Sequence, residues 1–352
     1  MFLAWNEIKK NKLRFILIIG VLMLVAYLVF FLSGLANGLQ NMNREAVDKW
    51  DADAVVLTQE SDKNLQQSNF IKSDLDELNV DKQAELSVLS AVAGKGEDKT
   101  NVMVFGIDED SFIMPNITEG DVYAGKNQVI ANDSLKEEGF ELGDKIELSS
   151  SDVHLEIVGF TDKARFSAAP VLYGDLADVN RIKFEEANTD NLNAFIIQDS
   201  NYENIKVNDK FEVIETEEFI KQLPGYTEQN LTLTFMIYFL FVISAVIIAI
   251  FLYVLTVQKI SLFGIMKAQG ISNMYLARSV IAQTFILATI GVFIGFVLAI
   301  ITGIGIPNVV PVNFDIITMI IYGVILIFTA VLGAVFSVLT IVRIDPLEAI
   351  GG

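Results

Sequence analysis

The side chains best suited to covalent chemistry are almost missing from this chain. It has one histidine, His154, and no cysteine, so a thiolate nucleophile, a thiolate metal site and a disulfide are all excluded. His154 lies in an alternating stretch that predicts a strand. Neither a Gly-x-Ser-x-Gly nor a His-Glu-x-x-His motif accompanies it, so it reads as a surface-strand residue and not as a catalytic base. Residues Gly94 to Thr100 (GKGEDKT) look faintly like a phosphate loop but lack the Gly-Lys-Ser/Thr ending, and the Asp108-Glu109-Asp110 run reads as a solvated turn. Whatever this chain does, the sequence gives no sign that it makes or breaks bonds itself.

Four long apolar runs dominate instead: residues 15–36, 231–257, 279–306 and 315–342, the last with Asp315 at its rim and none with a charge in its interior. Each is long enough to cross a bilayer, and hydrocarbon supplies no hydrogen-bond partners, so each must be a helix. The first is longer than the apolar core of a signal peptide, which favours an uncleaved span over cleavage after Gly34-Leu35-Ala36. Between the first and second runs lies a block, 37–230, with 40 Asp and Glu against 17 Lys and Arg. That acidity leaves no basic stripe for nucleic acid.

Positive charge sits elsewhere: Lys9, Lys10, Lys12 and Arg14 precede the first run, Lys259, Lys267 and Arg278 lie between the second and third, and Arg343 follows the fourth. By the positive-inside rule both termini and the 258–278 loop are cytoplasmic, and the acidic block is extracellular. A cysteine-free outer domain suits a Gram-positive plasma membrane. The expected fold is an α-helical membrane protein with four transmembrane helices and an extracytoplasmic α+β domain inserted between helices 1 and 2.

Residues 1–14 read as an amphipathic helix along the inner membrane surface or as a charged anchor for the first span. Residues 37–50 keep a helical rhythm and continue that span as a stalk. Short β-type runs follow, at 54–58, 85–93, 101–107, 128–131, 145–149, 153–160, 169–173 and 194–198, with helices expected near 132–138, 174–187 and 215–223. Pro224-Gly225 breaks the chain before the second span. In the third span Gly291, Gly295, Ala299 and Gly303 repeat every four residues, with weaker pairs Ala245/Ala249 and Ala330/Ala334 in the second and fourth. Such stripes let helices approach closely.

Carriers of ions and hydrophilic solutes keep ionisable groups inside their spans, and this chain has none there. Cargo, if any, is therefore apolar or amphiphilic and enters from lipid, and energy arrives through the cytoplasmic surface. In the 258–278 loop, Leu262, Phe263, Ile265 and Met266 cluster beside Lys259 and Lys267, as expected of a short helix that docks in a groove on a partner.

One span, a large outer domain and three further spans resemble the MacB/FtsX-type permeases. The loop Lys259 to Ser272 (KISLFGIMKAQGIS) is similar to that family's cytoplasmic segment through Gly264, Lys267, Ala268 and Gly270, and Arg343 to Ile350 (RIDPLEAI) is similar to its closing signature. Phe263, where many members have Glu, resembles the haem-efflux branch, as does the N-terminal LAWNEI.

The resemblance implies a transport subunit with no ATPase site of its own. It implies work with a separate ABC ATPase that binds the ATP, two permeases to two ATPases, and a coupling segment carrying Lys259, Phe263, Gly264, Lys267 and Gly270. It implies haem as the substrate and no intrinsic cofactor or metal. The haem-facing candidates are then Tyr27 and Phe31 on the first span, Met42 and Glu45 on the stalk, and Tyr226 and Glu228 before the second span, because aromatic faces stack on a porphyrin while thioether, carboxylate and phenolate ligate iron. Squeezing the two helices together would expel such a ligand by mechanotransmission. Two other readings stay open: an FtsX-like signalling permease that activates a cell-wall hydrolase, and an exporter of antimicrobial peptides or lipids.

Overall fold

The computed structural model describes residues 12–75, 78, 80–95, 98–149, 151–184, 190–258, 260–306 and 310–342. The N-terminal segment 1–11, Lys259 and the closing motif 343–350 lie outside the described residues.

In chain order the first elements are helix α1 (Lys12–Asp48) and strands β1 (Ala54–Thr58), β2 (Phe70–Ile71), β3 (Lys82–Lys95), β4 (Asp98–Ile107), β5 (Glu119–Gly120) and β6 (Gln128–Asn132). Next come β7 (Lys145–Leu148), β8 (Ser151–Thr161), β9 (Arg165–Phe166), β10 (Ala169–Asp175), helix α2 (Leu176–Phe184), β11 (Asn191–Leu192), β12 (Ala194–Gln198), β13 (Phe211–Glu215) and α3 (Thr216–Lys221). Four helices follow: α4 (Tyr226–Val257), α5 (Ile260–Ala268), α6 (Asn273–Gly305) and α7 (Ile316–Val342). The chain forms two units, one of residues 1–38 with 230–352 and one of residues 39–229.

The first unit is a helical bundle in which α1, α4, α6 and α7 are each long and apolar enough to cross a membrane. Two buried clusters join all four helices. One holds Phe15, Ile18, Leu22, Ile248, Leu252, Leu287, Ala288, Ala330 and Ala334. The other includes Val25, Ala26, Phe30, Phe241, Val292, Ala299 and Met319.

The small-residue stripe of α6 faces α1. A Cβ at Gly291 would sit 2.7 Å from Leu22 Cβ, and one at Gly295 would sit 2.8 Å from both Ala26 Cβ and Met23 O. On α7, Gly333 lies against the backbone of Ala245 and Ala249, so the alanine pair of α4 receives a glycine. Asp315 caps α7, accepting from Ile317 N at 3.2 Å and Thr318 N at 3.1 Å. This explains an acidic residue at the rim of a span, where it satisfies otherwise orphan amides.

In the second unit β3 is fourteen residues long and serves two sheets. Its first half pairs with β12, which pairs with β1 and then β13, all antiparallel. Its second half enters a ring in which β3, β4, β10, β6, β8 and β7 each pair with the next, and β7 returns to β3 through Ala93↔Leu148. Inward side chains, among them Val102, Val104, Val129, Ile146, Leu155, Ile157 and Leu172, fill one core.

Strand β1, between β12 and β13, is buried on both faces. Val55 and Leu57 point to a core with Trp50 and Phe105, while Ala54 and Val56 point to one with Phe70, Phe195 and Phe211. A strand covered on both sides reads as a continuous apolar run, which is why Ala54 to Leu57 does not alternate.

Candidate functional site

Two parts of the second unit carry residues singled out by sequence: the end of α1, residues 39–50, and the segment 216–229 that leads into α4. Ala46, Val47 and Trp50 share one core with Phe219, Ile220, Leu223 and Tyr226. Trp50 is fully buried and stacks on Phe219, with centroids 6.2 Å apart and planes at 24°. The Arg44 guanidinium lies on the same side. It donates to both Asp48 oxygens at 2.8–3.0 Å and to Glu217, and these partners raise its pKa, Asp48 most. Asn43 Nδ2 reaches Gln229 Oε1 at 3.4 Å.

Glu45 follows Arg44 and, at about 100° per residue, turns to another face. Its half-buried carboxylate lies near Arg165 in β9, whose charge favours the ionised form. The turn after β9 holds the helix end from outside: Ser167 N donates to Asn43 O at 3.1 Å and Ala168 N to Met42 O at 3.0 Å, both residues having positive φ. Lys49 completes the anchorage on Thr161 Oγ1 (2.9 Å) and Asp162 (3.1 Å).

The structure therefore brings the segments 42–45 and 226–229 together but turns the candidate ligands Glu45 and Tyr226 to different surroundings. Glu45 lies beside Arg165, and Tyr226, only 7% exposed, belongs to the aromatic core. Met42 is half-buried, and Glu228 is exposed. In the first unit Tyr27 and Phe31 are both half-buried, and their rings stack at 5.9 Å and 18°. Phe30, on the adjoining face, is 1% exposed and packs edge-on against Phe296.

Burial is the largest cause pushing the Glu45 carboxyl above its ordinary range, with the neighbouring Arg165 opposing. A carboxyl raised in the folded state contributes stability below its unfolded pKa and loses it as pH rises through the raised value. Asp133 is raised in the same sense, first by burial and then by Asp162. Glu45→Gln is accordingly expected to raise the melting temperature of the outer domain at neutral pH by on the order of 2 °C, with the gain vanishing near about pH 4. Thermal melts across that range check this, and a variant less stable than the parent at neutral pH would contradict it.

In the first unit, α5 is a nine-residue helix followed by a glycine in the left-handed conformation, Gly270 at φ 89°. Ile271 N donates to Met266 O and Gly270 N to Lys267 O, at 3.0 and 2.9 Å. This is a Schellman closure, and it is the physical reason for Gly270 at that place in the motif. Ser272 then caps α6 by accepting from Tyr275 N.

Phe263 is 4% exposed and packs on Leu276, with Met266, Ile271 and Val280 around it. Gly264 is buried and Lys267 half-buried. On α5 the outward large apolar residues are Leu262 and Ile265, 46% and 45% exposed. Sequence reasoning put all four apolar residues in one docking cluster, and the helix divides them. It also passed over Arg44, although the Arg44/Asp48 spacing is a legible i,i+4 pair.

Family models match along most of the chain: the MacB-like periplasmic core domain over residues 15–213 and the FtsX-like permease C-terminal region over 234–346. A relative from Staphylococcus epidermidis, by name a hemin transport system permease protein, HrtB, is 30% identical over 360 residues, spanning 100% of this chain and 99% of the relative. One of the same name from Staphylococcus haemolyticus is 24% identical over 358 residues with the same coverage. The solved extracellular domain of the ABC-type transporter YknZ, from Gram-positive bacteria, aligns to 46% of this chain and 100% of its own at 14% identity and a TM-score of 0.33, and carries no weight in the assignment. With two family models and a full-length relative in agreement, the chain belongs to the MacB/FtsX-type family of ABC transporter permeases, multi-pass membrane proteins with a large extracellular domain.

Proposed function

We propose that this permease is the membrane subunit of an ATP-driven exporter that removes haem, or a flat amphiphile like it, from the bilayer. The observation that carries the reading is the full-length similarity to relatives named for hemin transport. The spans fit such cargo, since residues 15–36, 232–257, 279–306 and 316–342 contain no charged side chain and offer no hydrated path for an ion. Tyr27 and Phe31 present a stacked, half-exposed aromatic pair to a planar ligand.

Met42, Glu45, Tyr226 and Glu228 are the candidate iron ligands. Of these Glu228 is the exposed one, and Tyr226 reaches a ligand only if its cover shifts. A separate ATPase binds the ATP and engages α5, and a second copy of the permease completes the assembly. The positive charges of the termini and the 258–278 loop support a cytoplasmic side for them by the positive-inside rule.

Co-expression with the ATPase subunit is expected to protect cells from haemin. Combining Glu45→Ala, Tyr226→Phe and Glu228→Ala is expected to remove most of that protection while the protein still reaches the membrane. Full protection by the triple variant would refute these ligands, and no protection by the parent chain would refute haem as cargo. A shape or division defect on deletion, with unchanged haemin sensitivity, would indicate signalling instead.

A further inference from the structure

Deletion of one long side chain is the way to ask whether the two attachments of the outer domain move separately. Within the second unit, residues 39–50 and 216–229 are joined by more than shared burial. The Arg44 side chain is 23% exposed and its guanidinium spans Asp48 on its own helix and Glu217 on α3. Asn43 adds a second rung to Gln229. Just beyond Trp50, Thr216 ties the same segment to the chain leading into β1, its N–H donating to Asp53 O at 3.0 Å and its hydroxyl to Ala52 O at 2.8 Å. Under these lies the fully buried Trp50 on Phe219.

A lone exposed ion pair holds little, but a planar fork shared by two carboxylates over a packed aromatic core has one low-energy arrangement. Packed interiors shift between discrete states and do not stretch.

We propose that Arg44 is a positioning residue whose ties make the two attachments a single rigid lever, keeping segments 42–45 and 226–229 at fixed spacing through the transport cycle. Cargo is then displaced at a face of this pair and is not squeezed between its two members. The inference rests on the export reading for its consequence, but the rigidity stands or falls by itself.

The chain has no native cysteine, so spin labels at Asn41→Cys and Gln222→Cys report directly on the joint in the permease–ATPase complex. The expected result is one narrow distance, unchanged between nucleotide-free and ATP-trapped states. A change of about one helical turn, ~5 Å, would overturn the proposal. Arg44→Ala is expected to broaden that distance and lower haemin tolerance several-fold, with Arg44→Lys recovering little because an ammonium lacks the fork. A short thiol-to-thiol bridge between Asn43→Cys and Gln229→Cys is expected to restore tolerance to the Arg44→Ala protein.

Unaltered behaviour of folded Arg44→Ala, or no rescue by the bridge, would contradict the role. If Arg44→Ala does not fold, the label distance in the otherwise native chain still decides. If the parent chain gives no haemin protection, the cargo reading fails while the distance measurement continues to test the lever.

Discussion

Leu262→Asp combined with Ile265→Asp is expected to detach the permease from its ATPase, with loss of co-purification and of all haemin protection. The two side chains lie three residues apart and are the outward large apolar residues of α5. Burying one such side chain in a partner's groove contributes about 1.5–3 kcal/mol, so losing both weakens association by at least about a hundredfold, before the cost of desolvating two carboxylates. The fold should survive, because neither residue is part of the Phe263–Leu276 cluster.

Phe263→Ala is the informative contrast. It removes a buried ring and costs about 3–5 kcal/mol of local packing, so it should loosen the hairpin as well as the docking. A double Asp variant that still binds the ATPase would show that the partner engages another surface.

Gly295→Val is expected to prevent correct assembly of the helical bundle. Its first added carbon would meet Ala26 Cβ and Met23 O at 2.8 Å and Tyr27 N at 2.9 Å. Two of those atoms are backbone and cannot swing aside, so α1 and α6 must separate. Overpacking of this kind costs about 1–3 kcal/mol or more, and here it also displaces the turn of α1 that carries the Tyr27–Phe31 stack. Loss of folded yield in detergent, with haemin protection near background, is the expected outcome. Gly20→Ala is the control: a Cβ there has no neighbour within 4 Å, so it should behave like the parent chain. Equal yield for both variants would show that the stripe does not hold α6 against α1.

The four helices and the small-residue stripe were legible because apolar length and a four-residue repeat are local properties of sequence. Several strands were equally plain, such as Ala54–Thr58 and Ala194–Gln198, which form at those bounds. Strand β13 was passed over although Phe211 and Val213 alternate with charged neighbours. The ring was invisible for a different reason. Its closure joins β7 to β3 and β4 to β10, strands some fifty and seventy residues apart, and no local pattern encodes that pairing.

The site shows the same divide. The chemical types at Met42, Glu45, Tyr226 and Glu228 could be read, but not their directions. Pro224-Gly225 reads as a break before the second span, and α4 does start at Tyr226, but nothing local says that Tyr226 packs back onto the core of Trp50 and Leu223. On α5, residues 262, 263, 265 and 266 are all apolar, so periodicity alone could not say that Phe263 turns inward.

The most direct test is transfer of haem from vesicle membranes to an external haem-binding protein, measured by absorbance with the permease reconstituted alone, with its ATPase, and with its ATPase plus ATP. Release only in the third case, with no ion conductance in any, is the predicted result. Release by the permease alone, or an ATP-independent current across the vesicle, would contradict export driven from outside through dry helices.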